Sequence, residues 1–205
     1  MKLYFSPNLN PRVAVAAARH LAVPLEFIAA SPRDPSQIAA FRALNPNALV
    51  PILVENGRAL WETDAVVCRL SAVAGTDFWR TGAEAPVMVQ WLSWAAQHLN
   101  RAADPIYFER LIRPRFSDQP LDPALLQEAF GDFRRYAAIL DAELAGRRWL
   151  LGGRLSYADF RVATVLPFAA AIGLPLDEFP QVRRWHEQLL AMDAWRVPFA
   201  GLPAA

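Results

Sequence analysis

The chain has 205 residues, 54% of them hydrophobic, and 21 basic against 20 acidic side chains leave a formal net charge of +1. Charge this evenly balanced and dispersed excludes the basic footprint of a nucleic-acid or anionic-lipid binder, and no apolar run approaches the roughly 18 residues of a membrane span. The length suits two modest domains, each with its own core. Cys68 is the lone cysteine, so no disulfide framework is expected and a reducing, cytoplasmic compartment fits. His20, His98 and His186 are scattered without ligand spacing, and no metal site is expected. The opening Met1-Lys2-Leu3-Tyr4-Phe5 reaches Pro7 and Asn8 at once, unlike a secretory signal.

In chain order, residues 2–5 form a short aromatic-rich run that reads as a strand. An Ala-rich stretch over 12–22 reads as a helix with Pro11 in its first turn, its apolar face carrying Val13, Ala16, Ala17 and Leu21. A second strand is expected at 25–29, and one or two helical turns at 37–44 before Asn45-Pro46-Asn47 breaks them. Residues 51–54 and 59–61 then flank Glu55-Asn56-Gly57-Arg58, a tight antiparallel hairpin in which Asn-Gly supplies the positive φ angles. Glu62-Thr63-Asp64 opens a helix running to Gly75, with Thr63 suited to its N-terminal end. The order β-α-β-α-β-β-α describes a thioredoxin-like domain, and the fold class is α/β followed by an all-helical bundle. The expected domains are 1–75 and 84–205, joined by a linker over 76–83.

The second domain reads as helix throughout. One long helix covers 83–111, bent near Pro105, and Pro123–Leu144 forms another, with Leu126, Phe130, Phe133, Ala137 and Leu140 on one stripe. The two are suited to antiparallel pairing. Further helices are expected at 157–171 and 181–192.

Two segments carry chemistry. Val50-Pro51 enters the hairpin: a cis bond there presents the backbone of Val50 to an extended peptide, whereas a trans bond is an ordinary strand start. At Glu62-Thr63, free helix N–H groups and a hydroxyl can grip a carboxylate while the Glu62 side chain grips an ammonium, which suits an amino-acid zwitterion; the alternative is a helix cap beside a solvated acid.

These segments, taken together, resemble the cytosolic glutathione transferase family over essentially the whole chain. Residues 2–7 look like its first strand and loop, and Asn45-Pro46-Asn47-Ala48-Leu49-Val50-Pro51-Ile52-Leu53 like its Asn-Pro-x-Gly-Lys-Val-Pro-x-Leu stretch. Glu62-Thr63-Asp64-Ala65-Val66 is similar to its Glu-Ser-x-Ala-Ile. Residues 150–159 resemble its Leu-x-Gly-x-x-x-Ser/Thr-x-Ala-Asp element, with Ser156 and Asp159 as a capping box, and Phe179-Pro180 precedes a helix as in the family.

The resemblance implies glutathione as co-substrate, with Val50 as backbone partner of its cysteinyl part, Pro51 as a cis proline, and Glu62 and Thr63 on its γ-glutamyl end. Ala48 and Leu49 stand where glycine and lysine are usual, which removes a contact at Leu49; Arg33 is a candidate substitute. The family activates the thiol with Tyr, Ser or Cys after the first strand, but here Leu9 or Asn10 occupies that place. Asn10 ranks first as the thiolate donor, with a capping role as its alternative, and Ser6 ranks second. The second, electrophilic substrate is expected between the domains, against Trp94, His98, Arg101, Tyr107 and Phe108, an aromatic stripe that reads equally well as packing. Cys68, Trp149, Trp185 and Trp195 read as packing residues. A homodimeric detoxification enzyme is implied; the rival reading is a binding or scaffold protein that keeps the fold without the chemistry.

Overall fold

Strand β1 (Lys2–Phe5) leads through α1 (Leu9–His20), β2 (Glu26–Ala29) and α2 (Ile38–Leu44) to the hairpin of β3 (Ile52–Glu55) and β4 (Arg58–Trp61), then to α3 (Thr63–Val73), in a computed structural model that describes residues 1–32 and 34–204. The sheet order is β2-β1-β3-β4, with β1 parallel to β2 and antiparallel to β3. This is the mixed sheet expected of a thioredoxin-like domain. Alternation along the strands divides the core between the two faces. Leu3, Phe5 and Leu53 pack with Ala14, Val15 and Ala18 of α1 and Val66 and Leu70 of α3, while Ile52 and Tyr4 meet Phe41 of α2 on the other side. Asn56 and Gly57 have φ of 48° and 76°, as a two-residue turn between paired Glu55 and Arg58 requires.

Helix α1 begins at Leu9 rather than at residue 12, and Pro11 still lies in its first turn, where a missing N–H costs no intrahelical bond. It ends as Ala22 turns left-handed at φ 50°. Thr63 is the first residue of α3 and not its cap; that place belongs to Glu62.

By its internal contacts the chain divides between Trp79 and Arg80, and the residues from Ala191 onward belong with the first unit. The expected helical domain instead ran through residue 205. The returning segment includes α10 (Asp193–Arg196), which packs on α1. The Arg12 guanidinium donates to the Trp195 carbonyl and lies 4.7 Å from the centre of the Trp195 ring. Phe199 stacks on Phe5 at 5.6 Å and, with Leu202, joins the core beneath the sheet.

The second unit, Arg80–Leu190, is helical. Its long helix is interrupted more than expected: α4 (Ala85–Trp94) and α5 (Asn100–Tyr107) are separated by a widened π turn at Ala95–Leu99, and another follows at Phe108–Ile112. Pro105 sits inside α5 and cannot supply an N–H, the usual local cause of such irregularity. Helix α6 (Pro123–Leu144) packs on α5 and buries Leu126, Ala129, Phe133, Ala137, Leu140 and Leu144. Phe130, expected on that stripe, instead carries the Arg110 guanidinium 4.8 Å above its ring. The helix expected over 157–171 divides into α7 (Tyr157–Val162) and α8 (Ala169–Ile172), with a tight turn beginning at Leu166-Pro167 between them. Helix α9 (Pro180–Leu190) completes the unit.

The start of α7 carries the expected capping box. The Ser156 backbone N–H and hydroxyl donate to Asp159 Oδ2 at 2.9 and 3.1 Å. Asp159 Oδ1 receives the Leu150 N–H at 2.9 Å and the Trp185 indole N–H at 3.0 Å. Asp159 and Trp185 are fully buried. Among the described residues, no helix is long and apolar enough to cross a membrane.

Candidate functional site

Strand registers bring four chain segments to one end of the sheet. Tyr4 pairs with Ile52, Ile52 with Trp61, and Phe5 with Ala29. The residues after β1, before β3, after β4 and after β2 therefore line that end side by side. In lateral order they are the segment following Ala30, the loop 6–8 entering α1, Val50-Pro51, and Glu62-Thr63 entering α3.

The Val50-Pro51 peptide is cis. The turn leading into it is held from within: Asn45 Nδ2 donates to the Leu49 carbonyl at 2.8 Å, and the Ala48 N–H donates to the Asn45 carbonyl at 2.8 Å. Ala48 has φ 50°, where an L-residue is uncommon, and Leu49 is left 54% exposed beside the cis bond. Pro51 is buried and Val50 half-buried.

Across from this turn, Glu62 is exposed with φ 71° and ψ 129°, like Ala48 a non-glycine residue at positive φ. Backbone outliers of this kind cost of order 1–3 kcal/mol and cluster where a site needs them. Here the conformation begins α3 immediately after β4 and leaves the Glu62 side chain in solvent. Thr63 is 4% exposed, and its hydroxyl donates to the Asn10 carbonyl at 3.4 Å, tying the starts of α3 and α1 together.

The start of α1 lacks a side-chain cap. Asn8 is extended at the N-cap, but its Nδ2 donates to Ser6 Oγ at 3.1 Å, and no acid lies in the first turn. The first-turn N–H groups thus retain their preference for an anion. Ser6 is 6% exposed and accepts from Asn8, whereas Asn10 is exposed in the first turn. Asn10 is the second helical residue and not the N-cap; Asn8 occupies that position without capping through its side chain. Leu9 is half-buried, and Arg33 lies outside the described residues.

No local sequence pattern marks Arg12. It is 4% exposed, and burial lowers its pKa to about 10, which still leaves it cationic at neutral pH. Its carbonyl partner Trp195 is 183 positions away, beyond any local pattern. Cys68 is half-buried rather than buried, and burial pushes its thiol pKa up. With less thiolate at pH 7, Cys68 is expected to react with an aromatic disulfide reagent more slowly than free cysteine. An equal or faster rate in a stopped absorbance assay contradicts this.

The second unit does not bring its five predicted residues into one pocket. His98 and Arg101 line a cleft of about 510 Å³ with Gln97, Pro105, Asp132 and Tyr136. The His98 and Tyr136 rings lie 4.9 Å apart, and Trp94 stands 6.1 Å from His98. Tyr107 instead is 7% exposed and meets Phe168 edge-on at 5.1 Å, while Phe108 is 41% exposed and 6.0 Å from Phe116. Tyr136 was not anticipated, since its place opposite His98 depends on how α6 packs. Among the described residues, no group of three or more His, Cys, Asp or Glu side chains is placed to hold a metal ion.

Comparison with known proteins gives two family matches, to the glutathione S-transferase N-terminal domain over residues 2–76 and to its C-terminal domain over residues 123–188. Glutathione S-transferase GstB of Escherichia coli (strain K12) is 34% identical over 77% of this chain and 76% of its own. Probable glutathione S-transferase GSTF2 of Oryza sativa subsp. japonica is 30% identical over 93% and 92%. In fold, the chain is similar to a glutathione transferase family member from Pseudomonas fluorescens pf-5 solved with two glutathione bound, with a TM-score of 0.80 at 22% identity over 96% of this chain and 91% of that one.

Proposed function

The chain belongs to the glutathione transferase family, and from that membership we propose that it is an enzyme that binds glutathione at the sheet end of its first unit and activates the thiol for attack on a small electrophile. The observation carrying this reading is the convergence of the cis Val50-Pro51 bond with the starts of α1 and α3 at one end of the sheet.

An extended tripeptide running past Val50 pairs its cysteinyl backbone with that residue, as an added strand pairs with an open edge. Its γ-glutamyl end reaches Glu62 and Thr63: the Glu62 carboxylate takes the ammonium group, and the start of α3 takes the carboxylate. The cysteinyl sulfur then lies toward α1, where the uncapped N–H groups and the Asn10 amide favour thiolate over thiol. The thiolate attacks the electrophilic carbon, a C–S bond forms, and the leaving group departs or the adduct is protonated. Ser6 is the weaker donor, since its hydroxyl is buried and engaged with Asn8. The loop 6–11 contains no cysteine, which favours addition or reduction by glutathione itself over a mixed disulfide with the protein.

The enzyme works as a cytoplasmic homodimer in detoxification, needing no metal. A glutathione titration by calorimetry, followed by a spectrophotometric conjugation assay, tests the proposal: saturable binding and turnover are expected. Binding without turnover on any of a panel of electrophiles removes the enzymatic part, and absence of binding removes the whole.

A further inference from the structure

The loop between β1 and α1 is gripped on both flanks by one distant stretch of chain. On the β1 side, Phe5 is 2% exposed and stacks on Phe199, the ring planes inclined by 14°. On the α1 side, the Arg12 N–H closes the first helical turn on the Asn8 carbonyl at 2.9 Å, and the Arg12 guanidinium donates to the Trp195 carbonyl while lying over the Trp195 ring. Arg12 Nη1 is buried without a hydrogen-bond partner among the described residues, so Trp195 is the anchor the structure gives this cation. Two turns along the same face of α1, Arg19 donates to the Ala200 carbonyl. Inside the loop, the Asn8 N–H and its side-chain amide both turn back to Ser6, at 2.8 and 3.1 Å, and these bonds shape the loop without tying it to another element.

The turn at Val50 is held by different residues. Val50 packs with Ala30, Phe41, Ala48 and Ile52 in the core on the other face of the sheet, and Asn45 closes its turn, whereas Phe199 and Leu202 belong to the core of Leu3, Phe5, Ala14 and Val66. Resting on the glutathione reading, we propose that residues 193–200 brace the thiol-activating loop, with Arg12 and Phe199 as positioning residues that set where the uncapped α1 N–H groups and the Asn10 amide stand against the bound sulfur. A hydrogen bond weakens steeply as its direction and length depart from ideal, and a displacement of about 1 Å is enough to cost a reactive geometry much of its rate. The peptide contacts at Val50 and Glu62 do not run through this brace, so it governs the reactivity of the bound thiol and not the affinity for it.

The test uses the full chain with Phe199→Ala, a change at a half-buried position. Calorimetry gives the stoichiometry and dissociation constant for glutathione, ultraviolet absorbance gives the pKa of its bound thiol, and a chlorodinitrobenzene gives kcat against pH. Stoichiometry and affinity within about twofold of wild type are expected, with the bound thiol pKa raised by about one unit and kcat at pH 7 lowered about five- to tenfold, most of it regained as pH rises. Phe199→Tyr, which keeps the stacked ring, is expected to restore wild-type values. Phe199→Leu, which keeps the apolar volume without the ring, is expected to show the same signature at smaller size and serves where the alanine variant does not fold. An unchanged bound-thiol pKa in the alanine and leucine variants overturns the proposal, and if kcat and binding stoichiometry then fall together the segment contributes stability alone. If wild-type protein does not bind glutathione, the underlying reading fails and the proposal with it, an outcome distinct from binding with an unchanged thiol pKa in the variants.

Discussion

Asp159→Ala is expected to destabilise the second unit by about 3–5 kcal/mol, the range for breaking a buried hydrogen-bonded charge network. The carboxylate is fully buried and receives four donors, from the Leu150 and Ser156 backbones, the Ser156 hydroxyl and the Trp185 indole. Alanine leaves all four without their acceptor in a region from which water is excluded, and each unsatisfied donor costs about 1–3 kcal/mol before relaxation. The residue also joins three separate pieces of chain, residues 150 and 156 before α7 and Trp185 on α9, so its loss loosens more than one helix end. Urea denaturation followed by tryptophan fluorescence measures the effect. A loss below about 1 kcal/mol means the box is a local cap and not an anchor between elements. Asp159→Asn keeps one oxygen but places an amide against donors on the other side, and an intermediate loss is expected.

Asn10→Ala is expected to reduce kcat/KM at pH 7 by about 10–100-fold while changing glutathione affinity little, because the amide acts on the sulfur and not on the peptide. The pKa of the bound thiol is expected to rise by about one to two units, so part of the lost activity returns as pH is raised. Ultraviolet absorbance of the thiolate, titrated in the bound complex, reads this directly. If the bound thiol pKa and the rate are both unchanged, Asn10 has no part in activation, and Ser6→Ala becomes the decisive variant. The two residues differ in kind: Asn10 is exposed in the first turn of α1, whereas the Ser6 hydroxyl is buried and accepts from Asn8.

What could be read from the sequence was whatever is encoded over a few neighbouring residues. Asn56-Gly57 specifies its turn by the backbone angles those two residues tolerate, and the hairpin closes on them. Ser156 and Asp159 are three positions apart, so their mutual bonds are a property of one helical turn. Leu9 at the head of α1 was harder, because proline fits several places in a first turn and Pro11 did not distinguish residue 9 from residue 12 as the start. Phe130 leaves the expected stripe because the Arg110 side chain covers its ring, and the adjacent Ala129 is buried in its place. The grouping of Trp94 and His98 with Tyr136, and the separation of Tyr107 from them, follows from packing of α6 and from two π turns that rotate the helix face. Periodicity at 3.6 residues cannot register such rotations.

The return of the chain to its first unit gives that unit a history as well as a shape. Residues 1–79 leave the ribosome with the sheet and its three helices already encoded, yet the aromatic side chain that covers Phe5 and the carbonyl that receives Arg12 emerge only after the whole helical unit has been made. During synthesis the nascent unit must therefore hold an alanine-rich helix with a buried-to-be cation still facing water. Its final cooperativity waits for the residues beyond 190, and the two units, although separable by their contacts, are not separable by one cut.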